Sequence, residues 1–260
     1  MDYVSPSQFN MWCRCPAQYE FRYARGLKVP PGIAARTGTA VHEPAEATAR
    51  HKIARGEDLP VDYLVDMAAT VYDEKVGEGV FIPRCDAATP QEQRVLLGKG
   101  KDAAARLTRL YRLEAAPVLK PMQTEDSIMV PVEGLEVPIL CRLDLIEEDI
   151  LDDLKTSSRS WSQADADSSA QLTLYELAFR HRYQKRPRIR VLNLVDLAAG
   201  PTLNVLLTSR IPQQTQRVIG RLQAMLKSIK AGLFPPAPVD AWVCSEKWCG
   251  YWRICPHGGK

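Results

Sequence analysis

Apolar positions recur with a helical period in the first part of the chain, as far as about residue 118. Two helix starts carry strong signals, because a Ser or Thr cap is followed by proline at the first helical position at Ser5-Pro6 and Thr89-Pro90. The predicted helices begin at Pro6 and just after Pro16, and then cover 38–55, 60–76 and 90–115.

The helix predicted at 38–55 contains an interior proline. Val41 and Ala45 lie four residues apart on one helical face, but Pro44 stands between them. An interior proline loses one backbone hydrogen bond and clashes with the preceding turn. The helix is therefore expected either to begin near His42 or to bend there.

From residue 127 the pattern changes to runs rich in Val, Ile and Leu, separated by Glu-Gly and Glu-Asp turns. Such runs predict neighbouring β-strands. The predicted elements are strands at 127–132, 135–147 and 150–156, a helix at 169–183, strands at 188–197 and 203–208, and a helix at 213–231. We therefore expect an α/β fold with one mixed β-sheet flanked by helices, and with residues 57–118 as a helical insertion.

The composition is that of an ordinary globular protein, with 45% hydrophobic and 25% charged residues. The length of 260 residues suits a single domain over 1–260. A net charge of +3 permits a nucleic-acid partner without requiring one. No apolar run approaches the ~20 residues that span a bilayer, and residues 1–23 lack the features of a signal peptide. The sequence favours an intracellular protein with no membrane partner.

The segment 141–156 carries most of the chemical information. It places Asp144 on one predicted strand and both Asp153 and Lys155 on the next. Because side chains alternate between the faces of a strand, Asp153 and Lys155 share a face, and a hairpin can bring Asp144 beside them. Two carboxylates can hold Mg²⁺ or Mn²⁺ for phosphodiester hydrolysis, while an ammonium assists the attacking water. The alternative interpretation is a solvated acidic turn.

This segment resembles the Asp…(Asp/Glu)-x-Lys core of the PD-(D/E)XK nuclease superfamily. Three further motifs are similar to its RecB-like exonuclease branch and follow in the expected order. They are Ser7-Gln-Phe…Cys15-Pro16…Tyr19, Gly38-Thr-Ala-Val-His42 and Gln171-Leu-Thr-Leu-Tyr175. The resemblance covers residues 5–42, 125–175 and 242–256, and it implies a restriction-endonuclease-like sheet.

The resemblance also implies a role for each matching residue. His42, Asp144 and Asp153 are expected to bind the metal, and the Leu154 carbonyl is a further candidate ligand. Lys155 is expected to assist the attacking water, and Gln171 and Tyr175 to position the phosphate or Lys155. Glu125 is a further acidic candidate, although an exposed charge at the end of a strand is the interpretation we favour.

Seven cysteines, an odd number, do not suit a secreted disulfide framework, and clustered thiols in a reducing compartment suggest a metal. Cys244, Cys249 and Cys255 form a C-x4-C-x5-C pattern. Cys15 matches the position of the remaining ligand in iron–sulfur members of the RecB-like branch, among them AddB-type nuclease domains and the CRISPR-associated exonuclease of the fourth type. The resemblance implies a [4Fe–4S] cluster in a C-terminal segment at about 240–257 that joins both ends of the chain.

Two alternatives to the iron–sulfur cluster stay open at this stage for the cysteines. Zn²⁺ also accepts four thiolates, and simple reduced thiols beside packed aromatic rings would need no metal. Cys13 and His257 are reserve ligands. Cys85 and Cys141 are expected in the core, because free cysteine behaves as a small buried hydrophobe.

The resemblance implies a Mg²⁺- or Mn²⁺-dependent deoxyribonuclease, an exonuclease acting on DNA ends or single strands in a bacterial or phage-infected cell. Recombination, repair, phage replication and CRISPR adaptation are the expected settings. A non-catalytic DNA-binding subunit and an endonuclease of the same superfamily are the alternatives. A basic run either follows the DNA backbone or is a solvated helix end; it comprises Arg180, Arg182, Lys185, Arg186, Arg188 and Arg190. Trp161 or Tyr175 either stacks on a base or belongs to the core.

Overall fold

The structure is a computed structural model of the chain, and it describes residues 1–258. A five-stranded β-sheet with the strand order β1-β2-β3-β4-β5 forms its centre. The strands are β1 Gln123–Val130, β2 Ile139–Ile146, β3 Ile150–Ser157, β4 Arg188–Leu197 and β5 Gly200–Thr208. Neighbouring strands are antiparallel except β3 and β4, which are parallel. The predicted mixed sheet is therefore confirmed.

Helices cover both faces of this sheet. They are α1 Pro6–Arg14, α2 Pro16–Tyr19, α3 Ile33–Arg55, α4 Val61–Gly77, α5 Pro90–Leu110, α6 Gln163–Ser168, α7 Ala170–Tyr183 and α8 Pro212–Lys230. Ser5 and Thr89 cap α1 and α5 through capping boxes with Gln8 and Glu92, as their sequence signals predict. Within residues 1–258, no helix combines the length and the apolar character that a bilayer crossing requires.

Helix α3 begins well before His42, the later of the two predicted starts. It starts at Ile33 and continues through Pro44, so a start near His42 is wrong. Both halves of the helix are anchored by packing, since Val41 on one side of the proline and Ala49 on the other lie in the same buried cluster. Tertiary packing of an apolar face offsets the local cost of an interior proline.

Two buried clusters hold the layers together. On one face of the sheet, Phe9 of α1, Phe179 of α7 and Leu222 of α8 pack with strand residues. On the other face, Tyr72 of α4 and Leu107 of α5 belong to the cluster that contains α3. The sheet is thus enclosed between helices, and its central strands are buried on both sides. This burial fixes the strands that carry the acidic residues.

Candidate active site

The β2–β3 hairpin brings the two predicted carboxylates together. Leu145 pairs with Asp152 in this antiparallel ladder, which places Asp144 next to Asp153 and Leu154. The Leu154 amide donates a hydrogen bond to Asp144 Oδ2 at 2.9 Å. The Lys155 ammonium donates to Asp153 Oδ1 at 2.9 Å. The structure therefore gathers two carboxylates and one ammonium at the centre of the sheet.

Asp153 is completely buried, and only one of its two carboxylate oxygens is used. Oδ1 accepts the bond from Lys155, whereas Oδ2 is buried without any hydrogen-bond partner. Burial raises the pKa of Asp153 to about 6, although Lys155 opposes that shift. A buried carboxylate oxygen without a partner is costly unless a cation or a proton accompanies it. Asp153 Oδ2 is therefore a candidate ligand for a metal ion.

Lys155 keeps its charge in this buried setting. Burial by itself lowers the pKa of its ammonium, but Asp153 and Asp144 outweigh that effect, and the pKa is raised. A permanently charged ammonium can neutralise negative charge that develops on a phosphate group.

His42 comes to the site from α3. Its Nδ1 lies 3.8 Å from Asp144 Oδ2. Burial first, and then the charge of Lys155, lowers the pKa of the imidazole. A neutral imidazole is the form that binds a metal, so the surroundings of His42 favour ligation.

Glu125 is a member of this site, and its interpretation as an exposed strand-end charge is wrong. Thr124 pairs with Leu145 and Asp126 with Leu143, so Glu125 lies opposite Asp144. Only 14% of its side chain is exposed, and it forms an ion pair with Arg142. Burial, and then Asp144, raises the pKa of Glu125 to about 7.

His42, Glu125 and Asp144 can each offer one ligand atom within 4.8 Å of the others. The backbone of Glu125 is in the left-handed region, with φ of 52°, which is uncommon for a residue other than glycine. Oxygen ligands with one imidazole suit a hard divalent cation such as Mg²⁺ or Mn²⁺. The donor set therefore fits the expected metal.

Gln171 and Tyr175 connect α7 to the same site. The Lys155 ammonium donates to Gln171 Oε1 at 3.4 Å, and Gln171 Nε2 donates to the Tyr175 hydroxyl at 2.8 Å. The two side chains lie on one face of α7 because they are four residues apart. Gln171 thus contacts Lys155 directly, while Tyr175 holds Gln171.

Two clefts lead to these residues and meet at Arg142 and Tyr175. The metal-site cleft, of about 720 Å³, is lined by residues that include His42, Glu125 and Asp144. The α1 cleft, of about 620 Å³, lies between α1 and Gln171. Trp161 and Tyr175 both pack against the main buried cluster, as the core interpretation predicts, and Tyr175 also lines both clefts.

The four cysteines expected to share a ligand surround one small cavity. Its lining includes Cys15, Cys244, Cys249 and Cys255. Burial and the nearby thiols of Cys15 and Cys255 raise the pKa of Cys244. Across residues 1–258, no three cysteine sulfurs lie within 4.8 Å of one another.

The other cysteines and His257 lie elsewhere. Cys13 and His257 do not line the cysteine cavity. Cys141 is buried, as predicted, whereas Cys85 is exposed, so its prediction as a core residue is wrong. Cys85 belongs to an exposed turn that follows Pro83 and precedes the cap of α5.

The basic run at 180–190 does not lie at either cleft. Arg190 pairs with Asp152 and Glu147, Arg180 with Glu176, and Arg188 with Asp149. None of its six members lines the metal-site cleft or the α1 cleft, as far as the described chain extends. Arg182, Lys185, Arg186 and Arg188 are exposed, as a solvated helix end predicts, whereas Arg190 is partly buried in its ion pairs.

A mixed sheet that carries Asp and Asp-x-Lys on neighbouring central strands, beside a histidine from a helix, is the arrangement of a metal-dependent nuclease. The chain belongs to the PD-(D/E)XK nuclease superfamily, whose family model matches residues 3–256. The sheet and its flanking helices are those of a restriction-endonuclease-like fold.

One solved structure shares this fold. A candidate exonuclease from Eubacterium rectale is 12% identical to this chain, with a TM-score of 0.59, over 100% of this chain and 90% of its own. A second crystal structure, that of SSO0001, is 14% identical with a TM-score of 0.43, over 100% of this chain and 88% of its own. No curated protein sequence matches the chain.

Proposed function

We propose that this protein is a Mg²⁺- or Mn²⁺-dependent exonuclease that hydrolyses phosphodiester bonds at DNA ends or in single strands. The observation that carries the proposal is Asp153 Oδ2, a buried carboxylate oxygen without a partner, beside Asp144 and a charged Lys155. Membership of the nuclease superfamily and the fold shared with the Eubacterium rectale candidate exonuclease support it.

In this proposal His42, Asp144 and Asp153 hold the ion, and Glu125 joins them. A bound divalent ion polarises the phosphate and lowers the pKa of a water molecule. Lys155 orients the attacking water or neutralises the phosphate charge, since its ammonium lies 2.9 Å from Asp153 Oδ1. Gln171 and Tyr175 keep Lys155 in place through their hydrogen bonds.

The matches at Cys15-Pro16, His42 and Gln171–Tyr175 support a place in the RecB-like branch. We propose one nuclease domain over 1–260, with residues 57–118 as its helical insertion. Recombination, repair, phage replication and CRISPR adaptation are the settings that this placement suggests, in a bacterial or phage-infected cell. Seven unpaired cysteines agree with a reducing, intracellular location.

Digestion of end-labelled DNA tests the activity. Single and double strands labelled at the 5′ or the 3′ end are incubated with the purified protein and Mn²⁺. Mononucleotides or short oligomers released from free ends are the expected products. Discrete fragments from circular duplex would instead indicate an endonuclease, and intact substrates in every arm would indicate a non-catalytic DNA-binding subunit.

Glu125→Gln is expected to raise the Mn²⁺ concentration for half-maximal activity by about 10- to 100-fold, a loss typical of altered metal sites. The amide keeps the shape of the side chain but removes its charge opposite Asp144. A titration of initial rate against Mn²⁺ measures the effect. Glu136→Gln is the matched control, since Glu136 is an exposed partner of Lys230. Equal metal requirements in the two variants would exclude Glu125 as a ligand.

We also propose that Cys15, Cys244, Cys249 and Cys255 bind a [4Fe–4S] cluster. Their arrangement around one cavity supports a shared ligand. Tetrahedral Zn²⁺ also accepts four thiolates, and the match of Cys15-Pro16 to the iron–sulfur members of the RecB-like branch favours the cluster over zinc.

Elemental analysis of anaerobically purified protein tests the cluster. We expect about four iron atoms per chain, visible absorbance and little zinc. Cys249→Ser should lower the iron content, because Cys249 lines the cavity, whereas Cys85→Ser should not, because Cys85 is exposed. Stoichiometric zinc would identify the alternative metal, and the absence of both metals would leave only reduced thiols.

A further inference from the structure

The α1 cleft adjoins the metal-site cleft, and Arg14 in its lining contacts Trp242 of the C-terminal segment. Its lining shares Arg142 and Tyr175 with the metal-site cleft, so a polymer bound at the metal site can extend directly into it. The two clefts differ in charge. Glu43, Glu46 and Asp144 line the metal-site cleft, whereas no acidic residue of the described chain lines the α1 cleft.

The lining of the α1 cleft suits a polyanion. Arg14 and Arg142 contribute guanidinium groups, of which that of Arg142 is paired with Glu125, and Asn10 and Gln8 contribute amides. Arginine guanidinium groups and side-chain amides are common donors to phosphate oxygens of nucleic acids. Tyr23, which is 40% exposed, adds an aromatic ring to the same cleft.

Arg14 also connects this cleft to an exposed pair of tryptophans. Its guanidinium carbon lies 5.6 Å from the ring centroid of Trp242. The rings of Trp242 and Trp248 are 5.5 Å apart at an angle of 87°, and the Lys247 ammonium lies 5.5 Å from the Trp248 ring. Two cations therefore flank two neighbouring aromatic rings.

Core packing does not account for this pair. Trp242 is 62% exposed and Trp248 is 56% exposed. Both residues belong to the segment that carries three of the cavity cysteines, since Trp248 directly precedes Cys249 and Trp242 lies two residues before Cys244. The C-terminal segment thus exposes two indole rings to solvent next to Arg14 of the α1 cleft.

We propose that the α1 cleft and the Trp242–Trp248 pair form one binding track for single-stranded DNA, in which unpaired bases stack on the two indole rings. This inference rests on the proposed function, because DNA is the substrate of that function. Exposed aromatic rings beside cations bind bases of any sequence, and paired bases in a duplex do not present their faces to such rings. The track therefore selects a single strand rather than a duplex.

Binding by the Asp153→Asn protein tests the track without digestion of the probe. Fluorescence anisotropy with a labelled oligothymidylate gives Kd, and quenching of tryptophan emission reports stacking. Trp248→Ala in this background should raise Kd about fivefold to tenfold, and the double Trp242→Ala/Trp248→Ala variant should raise it further. Trp248→Phe should restore most of the affinity, because a phenyl ring still stacks.

Tyr63→Ala is the matched control, since Tyr63 is an exposed aromatic residue that lines neither cleft. Its Kd should equal that of the background protein. Arg14→Gln should weaken binding and reduce the dependence of log Kd on log salt concentration by about one. Iron content and thermal unfolding of each variant show whether the tail stays folded.

An unchanged Kd in the double tryptophan variant would overturn the track, and so would an equal weakening of duplex binding. These outcomes are separate from failure of the proposed function. If the parent protein digests DNA and the tryptophan variants bind normally, the exonuclease assignment stands and the binding track is wrong. If the protein digests no DNA but binds single strands through the tryptophans, the binding track stands and the exonuclease assignment is wrong.

Discussion

Asp153→Asn is expected to slow Mn²⁺-dependent DNA hydrolysis by about 10³-fold or more. The substitution keeps the size of the side chain and replaces a carboxylate oxygen by an amide. Asp153 Oδ2 is the buried oxygen without a hydrogen-bond partner, so a metal ion loses its most enclosed ligand. The Lys155 ammonium also loses the charge of its partner at 2.9 Å.

Stability should not follow the loss of activity in this variant. Burial raises the pKa of Asp153 to about 6, which means that the charged form of Asp153 costs free energy in the folded protein near neutral pH. A neutral amide removes that cost but also removes the charge partner of the Lys155 ammonium, so the two effects on stability oppose each other. We therefore expect the thermal midpoint of Asp153→Asn to stay close to that of the parent protein without metal.

Initial rates on end-labelled single strands, with matched Mn²⁺, measure the loss. Asp66→Asn is the control, because Asp66 is an exposed aspartate of α4 that lines neither cleft. A rate within threefold of the parent would show that Asp153 is not part of the catalytic site. Lys155→Ala should cause a comparable loss of rate, and intact activity in both variants would remove the proposed mechanism.

Arg190→Met is expected to lower the free energy of unfolding by about 3–5 kcal/mol, the effect of leaving a buried charge without its partner. Arg190 Nε donates to Asp152 Oδ1 at 2.5 Å, and Nη2 donates to Asp152 Oδ2 at 3.0 Å and to Glu147 Oε1 at 2.6 Å. Asp152 is only 1% exposed, and burial raises its pKa to about 6 even with Arg190 present.

Urea unfolding measures this change, and two further variants define its cause. Arg188→Met is the control on the same strand, because Arg188 and Asp149 are exposed and 3.6 Å apart, and such pairs contribute little. Adding Asp152→Asn to Arg190→Met should recover part of the lost stability. A loss below about 1 kcal/mol in Arg190→Met would show that this ion pair is not a main support of β3 and β4.

The same ion pair explains why the basic run could not be interpreted from sequence. Six cations within eleven residues have the pattern of a phosphate-binding surface. Arg190 is instead buried against carboxylates of β3 and the β2–β3 turn, which are distant in sequence. Charge density along a chain does not reveal which charges fold against each other.

Glu125 shows the converse limitation. The strand that carries it begins with polar residues, so the apolar pattern predicted a start at residue 127 rather than Gln123. Its place in the site depends on the β1–β2 register, which sets it opposite Asp144. Register comes from long-range pairing and from burial of one face, and neither is visible in a short window of sequence.

Local order in this protein follows from its sequence. Capping boxes at Ser5 and Thr89, the period of apolar residues, and the alternation in Asp153-Leu-Lys155 act over a few residues, so the sequence alone determined them. Membership of the superfamily follows from the same motifs.

Tertiary structure decided which residues distant in sequence contact each other. It placed Glu125 with His42, gathered four cysteines from the two ends of the chain, and set Arg14 beside Trp242. These contacts join residues that are far apart along the chain, and their energy comes from burial and charge pairing that exist only after the sheet and its helices have packed.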